Sequence, residues 1–181
     1  MTCIVGIVHE GKVHIGGDSA GVEGLDLRIR VDRKIFLNGP FVMGFTTSFR
    51  MGQLLAFALK PPRRHATDDV MTFMVTEFVN AARECLKAGG FAKKTNEEET
   101  AGNFLVGYAG RLFNIGSDYQ VCENVHGFDA CGSGESYALG SLLATAGKDD
   151  PEARVNAALA AAETFSAGVR APFHLEVGGA A

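Results

Sequence analysis

Apolar and polar residues alternate along this chain with two different periods, and the switches between them mark its elements. Residues 3–8 form a β-branched run, Glu10-Gly11 marks a turn, and residues 12–15 resume the alternation. The first sixteen residues therefore read as a hairpin that Gly16-Gly17 closes. A glycine-punctuated loop is expected over 18–24. Strands are expected at 28–31, 34–37 and 41–45, with Asn38-Gly39-Pro40 as a turn.

The period then lengthens. Ser48 caps a helix that buries Met51, Leu54, Leu55 and Leu59 and stops before Pro61. A second helix, capped by Thr67 or Asp68, places Val70, Phe73, Met74, Phe78, Ala81, Cys85 and Leu86 on one face. It closes at Gly89-Gly90. Residues 92–102 are polar and read as a mobile loop. Strands return at 104–108, 112–115, 120–125 and around Ala130. Helices follow at 135–146 and 152–165, with Pro151 in the first turn of the latter. A last strand covers 173–177, and 178–181 read as a frayed tail. Strands, two helices, strands, two helices and a strand predict an α+β domain over 1–181. Its two antiparallel sheets would carry helix pairs on the outside.

Composition narrows the function classes. Of 181 residues, 46% are apolar and 21% charged, which suits a globular chain rather than a disordered one. A net charge of −4 argues against nucleic acid as a partner. No run is apolar enough for a membrane span or a signal peptide. Cys3, Cys85, Cys122 and Cys131 form no CxxC pair, so reduced thiols and a cytoplasmic location are expected. The five histidines lack metal-ligand spacing. The 23 glycines are the outlier, close to twice ordinary usage.

The chemistry begins at the N-terminus. Thr2 is small enough to permit removal of Met1. A free N-terminal threonine carries a hydroxyl nucleophile and its own amine base in one residue. Asp18 follows Thr2 by 16 residues, and Lys34 follows Asp18 by another 16. The hairpin returns Asp18 to the start of the chain. There it could bind the Lys34 ammonium, which would lower the hydroxyl pKa and keep the amine neutral. A surface aspartate and a solvated lysine are the plain alternative. Ser133, in Gly132-Ser133-Gly134, reads as a helix N-cap. It lacks the G-x-S-x-G setting of a serine nucleophile.

With these residues in place, the chain resembles the proteasome β-subunit family, and the bacterial HslV peptidases in particular, over nearly its whole length. Thr2-Cys3-Ile4-Val5-Gly6-Ile7 is similar to the family's mature N-terminus. Gly16-Gly17-Asp18 and Arg33-Lys34-Ile35-Phe36 match its aspartate and lysine motifs. The resemblance implies the N-terminal nucleophile (Ntn) hydrolase fold, a four-layer αββα sandwich. It further implies that Thr2 attacks peptide bonds, with Asp18 orienting Lys34 and the Gly44 N–H stabilising the oxyanion. Ser133 would bond near the N-terminal amine, and Ser166 and Glu163 would fall on the family's serine and aspartate, Glu163 being a departure. Val42, Thr46 and Arg50 would flank the substrate pocket, with Arg50 favouring acidic side chains.

The resemblance also implies stacked rings of identical subunits, an ATP-driven unfoldase ring as partner and unfolded polypeptides as substrates. The start at Met-Thr favours the HslV-like side. No cofactor is required for hydrolysis. A monovalent cation held by main-chain oxygens near the end of the last helix is a structural possibility. Two other readings stay open: a silent ring subunit that retains Met1, and a small-amide hydrolase of the wider Ntn group.

Overall fold

The computed structural model describes residues 1–95 and 98–180. The strands of the first half are β1 (Cys3–His9), β2 (Lys12–Gly17), β3 (Ala20–Glu23), β4 (Asp26–Ile29), β5 (Ile35–Asn38) and β6 (Phe41–Phe45). Helix α1 (Phe49–Phe57) follows. Then α2 (Val70–Phe73) runs through a π-helical turn (Met74–Phe78) into α3 (Val79–Ala88). The second half holds β7 (Lys93–Thr95), β8 (Glu98–Thr100), β9 (Phe104–Tyr108), β10 (Arg111–Ile115), β11 (Val121–Cys122) and β12 (Phe128–Gly132). It ends with α4 (Glu135–Ala144), α5 (Pro151–Phe165) and β13 (His174–Gly178).

Two antiparallel sheets form, in the orders β12-β1-β2-β13 and β11-β10-β9-β6-β5. Strand alternation builds the layers from there. Cys3, Val5 and Ile7 of β1 point outward and pack on Ala138, Leu142, Val155 and Leu159 of α4 and α5. Ile4 points inward, joining Ile15, Ile35, Val42 and Leu105 between the sheets. On the far side, Met51, Leu55, Phe73, Met74, Phe78 and Leu86 cover Phe41, Met43, Phe104 and Phe113. The result is the expected αββα sandwich.

Several local expectations shift. The loop expected over 18–24 and the strand expected at 28–31 become a two-stranded ribbon, β3 with β4, in which Ala20 pairs Ile29. The helix over 70–88 is capped by Asp69, whose carboxylate accepts the Thr72 N–H at 2.8 Å. The polar segment 92–102 is a hairpin in its described part, β7 with β8. Glu99 fastens that hairpin to α3 through Arg83 and Lys87; Asn96 and Glu97 lie outside the described residues. The tail expectation also changes. Gly178 pairs with Val13, and the buried Gly179 accepts the Gly110 N–H at 2.5 Å, so chain order extends past 177. Ala181 lies outside the described residues.

Candidate active site

The β1–β2 hairpin explains the first 16-residue spacing. Its register pairs Ile4 with Gly17, and the Asp18 N–H continues the ladder to Cys3 O at 3.4 Å. Asp18 therefore lies across from the residue next to Thr2. Its Oδ1 accepts the Cys3 N–H at 3.0 Å and Lys34 Nζ at 2.8 Å. Its Oδ2 accepts the N–H groups of Ala20 at 2.9 Å and Arg170 at 3.3 Å. Lys34 comes from the other sheet, one residue before β5, where its carbonyl accepts the Phe45 N–H. Both side chains of this ion pair are at most 1% exposed. A charge pair that is dry on both sides is held by geometry rather than by solvent.

That burial sets the electrostatics. It pulls the Lys34 ammonium below the usual lysine range, and the Asp18 charge pushes back the other way. Cys3 packs in the sheet with no exposure. Its burial, with Asp18 adding to it, drives the thiol up to about 12. Cys3 is thus an inert neutral neighbour of Thr2.

The other side of Thr2 is built by β12 and the start of α4. Cys3 pairs with Gly132, whose φ of 103° suits glycine, and a Cβ there would sit 2.3 Å from Thr2 O. The Thr2 N–H donates to Ser133 Oγ at 3.1 Å, and Ser133 Oγ donates to Thr2 O at 3.3 Å. Ser166 Oγ donates to Ser133 Oγ at 3.3 Å. The N-cap of α4 is Gly134, with no side-chain cap, so the expected capping role of Ser133 gives way to this contact. Thr2 is 5% exposed, and its Oγ donates to Met1 O.

Gly44 and Arg50 lie elsewhere than expected. A Cβ on Gly44 would meet Ile4, Ile15 and Ile35 at 2.5–3.2 Å, so Gly44 lets the two sheets approach. The Phe45 N–H bonds toward β5 and the Thr46 N–H bonds to Asn103 O, so ladder alternation directs the Gly44 N–H at β9. Arg50 donates to Gly89 O at 3.1 Å, away from Thr2. Glu163 does not reach Thr2 directly; its carboxylate accepts the Ala171 N–H at 2.9 Å. Ser19 Oγ donates to Pro172 O at 2.7 Å and so ties the Asp18 turn to the segment before β13.

The turn after β6, rather than Gly44, lines the cavity beside Thr2. The ladder ends at Thr46, and Thr47 enters the left-handed region at φ 66°, rare for a β-branched residue. Its Oγ1 accepts the Asn103 N–H. A cavity of about 390 Å³ is lined by Thr2, Thr46, Thr47, Asn103, Ser133 and Glu135, among others. Two further cavities of more than 300 Å³ meet it at Thr47. One, of about 500 Å³, includes Arg28, Arg30 and Phe49; the other, of about 340 Å³, includes Phe91 and Thr100. Arg30 is held over the Phe49 ring at 3.7 Å and paired to Asp32. Thr47, Asn103 and Glu135 escaped the sequence reading. Glu135, two residues after Ser133, was the one with a signal.

Among the described residues, no group of three or more His, Cys, Asp or Glu side chains could hold a metal ion, and no helix is long and apolar enough to cross a membrane.

No protein-family model and no curated protein matches the sequence. Solved structures do match the fold. BPH of Thiobacillus denitrificans in complex with epoxomicin is 22% identical, with a TM-score of 0.80 and 97% of each chain covered. The eukaryotic HslV from Trypanosoma brucei is 19% identical, TM-score 0.67, over 97% of this chain and 98% of that one. Anbu, an ancestral β-subunit from Yersinia bercovieri, is 17% identical, TM-score 0.67, over 97% and 81%. Across nearly its full length, the chain has the Ntn-hydrolase fold of proteasome-type subunits.

Proposed function

We propose that this chain is a threonine-type endopeptidase subunit, active once Met1 is removed. One observation carries the reading. The Thr2 nitrogen donates to the Ser133 hydroxyl, and the buried Asp18–Lys34 pair is bonded to the next backbone N–H, that of Cys3 at the head of β1. With Met1 gone, the Thr2 nitrogen is an α-amine whose ordinary pKa, about 8, suits a base near neutrality. The nearby Lys34 charge favours its neutral form.

In this reading the Thr2 Oγ attacks a peptide carbonyl carbon, and its proton passes to the Thr2 amine through a water. The backbone N–H of Thr47 faces the developing oxyanion in place of Gly44. The tetrahedral intermediate collapses as the C–N bond breaks, and the leaving amine takes the proton. Water then hydrolyses the ester and restores Thr2. Asp18 holds Lys34, and Ser133 holds the amine.

The fold likeness to HslV and Anbu supports a ring of identical subunits; the reading adds unfolded polypeptides as substrates and an unfoldase ring as partner. Mass photometry of the purified chain tests the ring; a monomer at micromolar concentration counts against it. A second reading, a silent subunit that keeps Met1, has one observation in its favour. Gly168 leaves room for the Met1 side chain, since a Cβ there would overlap it. Peptide hydrolysis by wild type and by Thr2→Ala separates the two. The peptidase reading expects hydrolysis that falls at least about 10³-fold in the variant. Equal rates would refute it.

A further inference from the structure

The resemblance implies a monovalent cation held by main-chain oxygens near the end of the last helix. In this chain such oxygens face a cation that belongs to the sequence. The turn after α5 brings the carbonyls of Glu163, Ser166 and Val169 to 3.3, 3.5 and 2.6 Å from Arg170 Nη1. Glu163 lies in the last turn of α5 and Ser166 and Val169 just beyond it, where the Ser166 carbonyl also accepts the Val169 N–H at 3.2 Å; the turn so formed aims all three carbonyls at the guanidinium. A guanidinium keeps its charge at any pH a protein survives. A second cation on the same oxygens would meet that charge at contact distance. These residues therefore do not fit a bound metal cation.

We propose that Arg170 is a built-in cation and a positioning residue for the Thr2 site. Its backbone N–H donates to Asp18 Oδ2, and its carbonyl accepts the Ser19 N–H at 2.9 Å. Its guanidinium holds the Ser166 carbonyl, while the Ser166 hydroxyl reaches Ser133 and through it the Thr2 nitrogen. Glu163 closes the turn on the far side through the Ala171 N–H. One side chain thus fixes the turn that touches both flanks of Thr2. The consequence for catalysis rests on the peptidase reading; the replacement of the cation does not.

The test compares thermal unfolding in sodium, potassium and tetramethylammonium chloride at equal ionic strength, the last being too large for the site. Wild type should melt within about 1 °C in all three. Arg170→Met should lose about 3–10 °C in tetramethylammonium and recover part of it in sodium or potassium, a selectivity that loss of packing alone would not produce. Arg170→Lys should stay insensitive to the salt. The proposal is overturned if wild type is stabilised by sodium or potassium over tetramethylammonium, or if Arg170→Met matches wild type in every salt. Should Arg170→Met fail to fold, the wild-type comparison still decides. Peptide hydrolysis measured alongside keeps the two readings apart. An inactive wild type with salt-independent melting counts against the peptidase and leaves the built-in cation standing.

Discussion

The two sheets serve the site by different physics. The four-stranded sheet brings Thr2, Asp18 and Ser133 together through strand register. A slip of one residue would turn every side chain of β1 to the wrong layer, so register here is strongly specified. The five-stranded sheet delivers Lys34 just before β5, then leaves its ladder at Thr47 in a strained left-handed turn. In the first sheet each functional group has several partners; in the second, positions depend on a few bonds to Asn103. Site geometry set by register is over-determined, whereas geometry set by a turn is sensitive to single residues.

The sharpest contrast lies across the ion pair. Asp18 keeps three backbone N–H donors if Lys34 is lost, but Lys34 keeps no carboxylate if Asp18 is lost. Asp18→Ala should therefore cost about 3–5 kcal/mol in urea unfolding. Lys34→Met should cost less, about 1–3 kcal/mol. Equal losses would erase the asymmetry.

Gly44→Ala tests the division of labour within the second sheet. Three isoleucine methyls within 3.2 Å of the new Cβ predict about 1–3 kcal/mol of destabilisation. On the proposed peptidase reading, kcat of the folded variant should stay within about two-fold of wild type; a fall of about 100-fold would return the oxyanion to Gly44.

The first sheet also carries an alkaline liability. Burial raises the Cys3 and Cys131 thiols above their ordinary 9.0. Above pH 9 the unfolded chain loses these protons while the folded chain keeps them, so stability falls as pH rises. The loss should be about 1 kcal/mol per thiol near pH 10. Lys34 opposes this. Its folded pKa lies below 10.5, so the unfolded chain holds a proton the folded chain has released, and rising pH favours folding there. Urea unfolding at pH 8 and 10 should show a more unfavourable change with rising pH in wild type than in Cys131→Ala; an equal pH dependence in the two would contradict the burial account.

The smallest effect is expected at Thr47. In Thr47→Gly, relief of the left-handed strain, about 1 kcal/mol, offsets the lost bond from Asn103, so stability should move by less than about 1 kcal/mol. A larger loss would show that the threonine side chain, not the turn, organises the cleft.

The same contrast explains what was legible in the sequence. Thr2, Asp18 and Lys34 were readable because a tight hairpin converts a fixed spacing into proximity. The four layers were readable because apolar periods of two and 3.6 alternate in long runs. Gly44 was misplaced because a glycine at a strand end looks alike whether it admits a substrate or a neighbouring sheet. The local pattern made Ser133 a cap, and only the family resemblance placed it at the N-terminal nitrogen, because the contact with Thr2 spans 131 residues. The 92–102 segment looked mobile because the order of its described part comes from Glu99 reaching Arg83 and Lys87 on a distant helix. Arg170 gave no signal, since three carbonyls converging on a guanidinium is a property of backbone shape.

The central claim is that Thr2 presents a hydroxyl and a free amine together. A peptide α′,β′-epoxyketone closes its ring only on a residue that has both. Intact mass after incubation, with peptide mapping, should show a chain lacking Met1 and carrying one inhibitor on Thr2. A Met1-free chain that stays unmodified, or an adduct elsewhere, would contradict it.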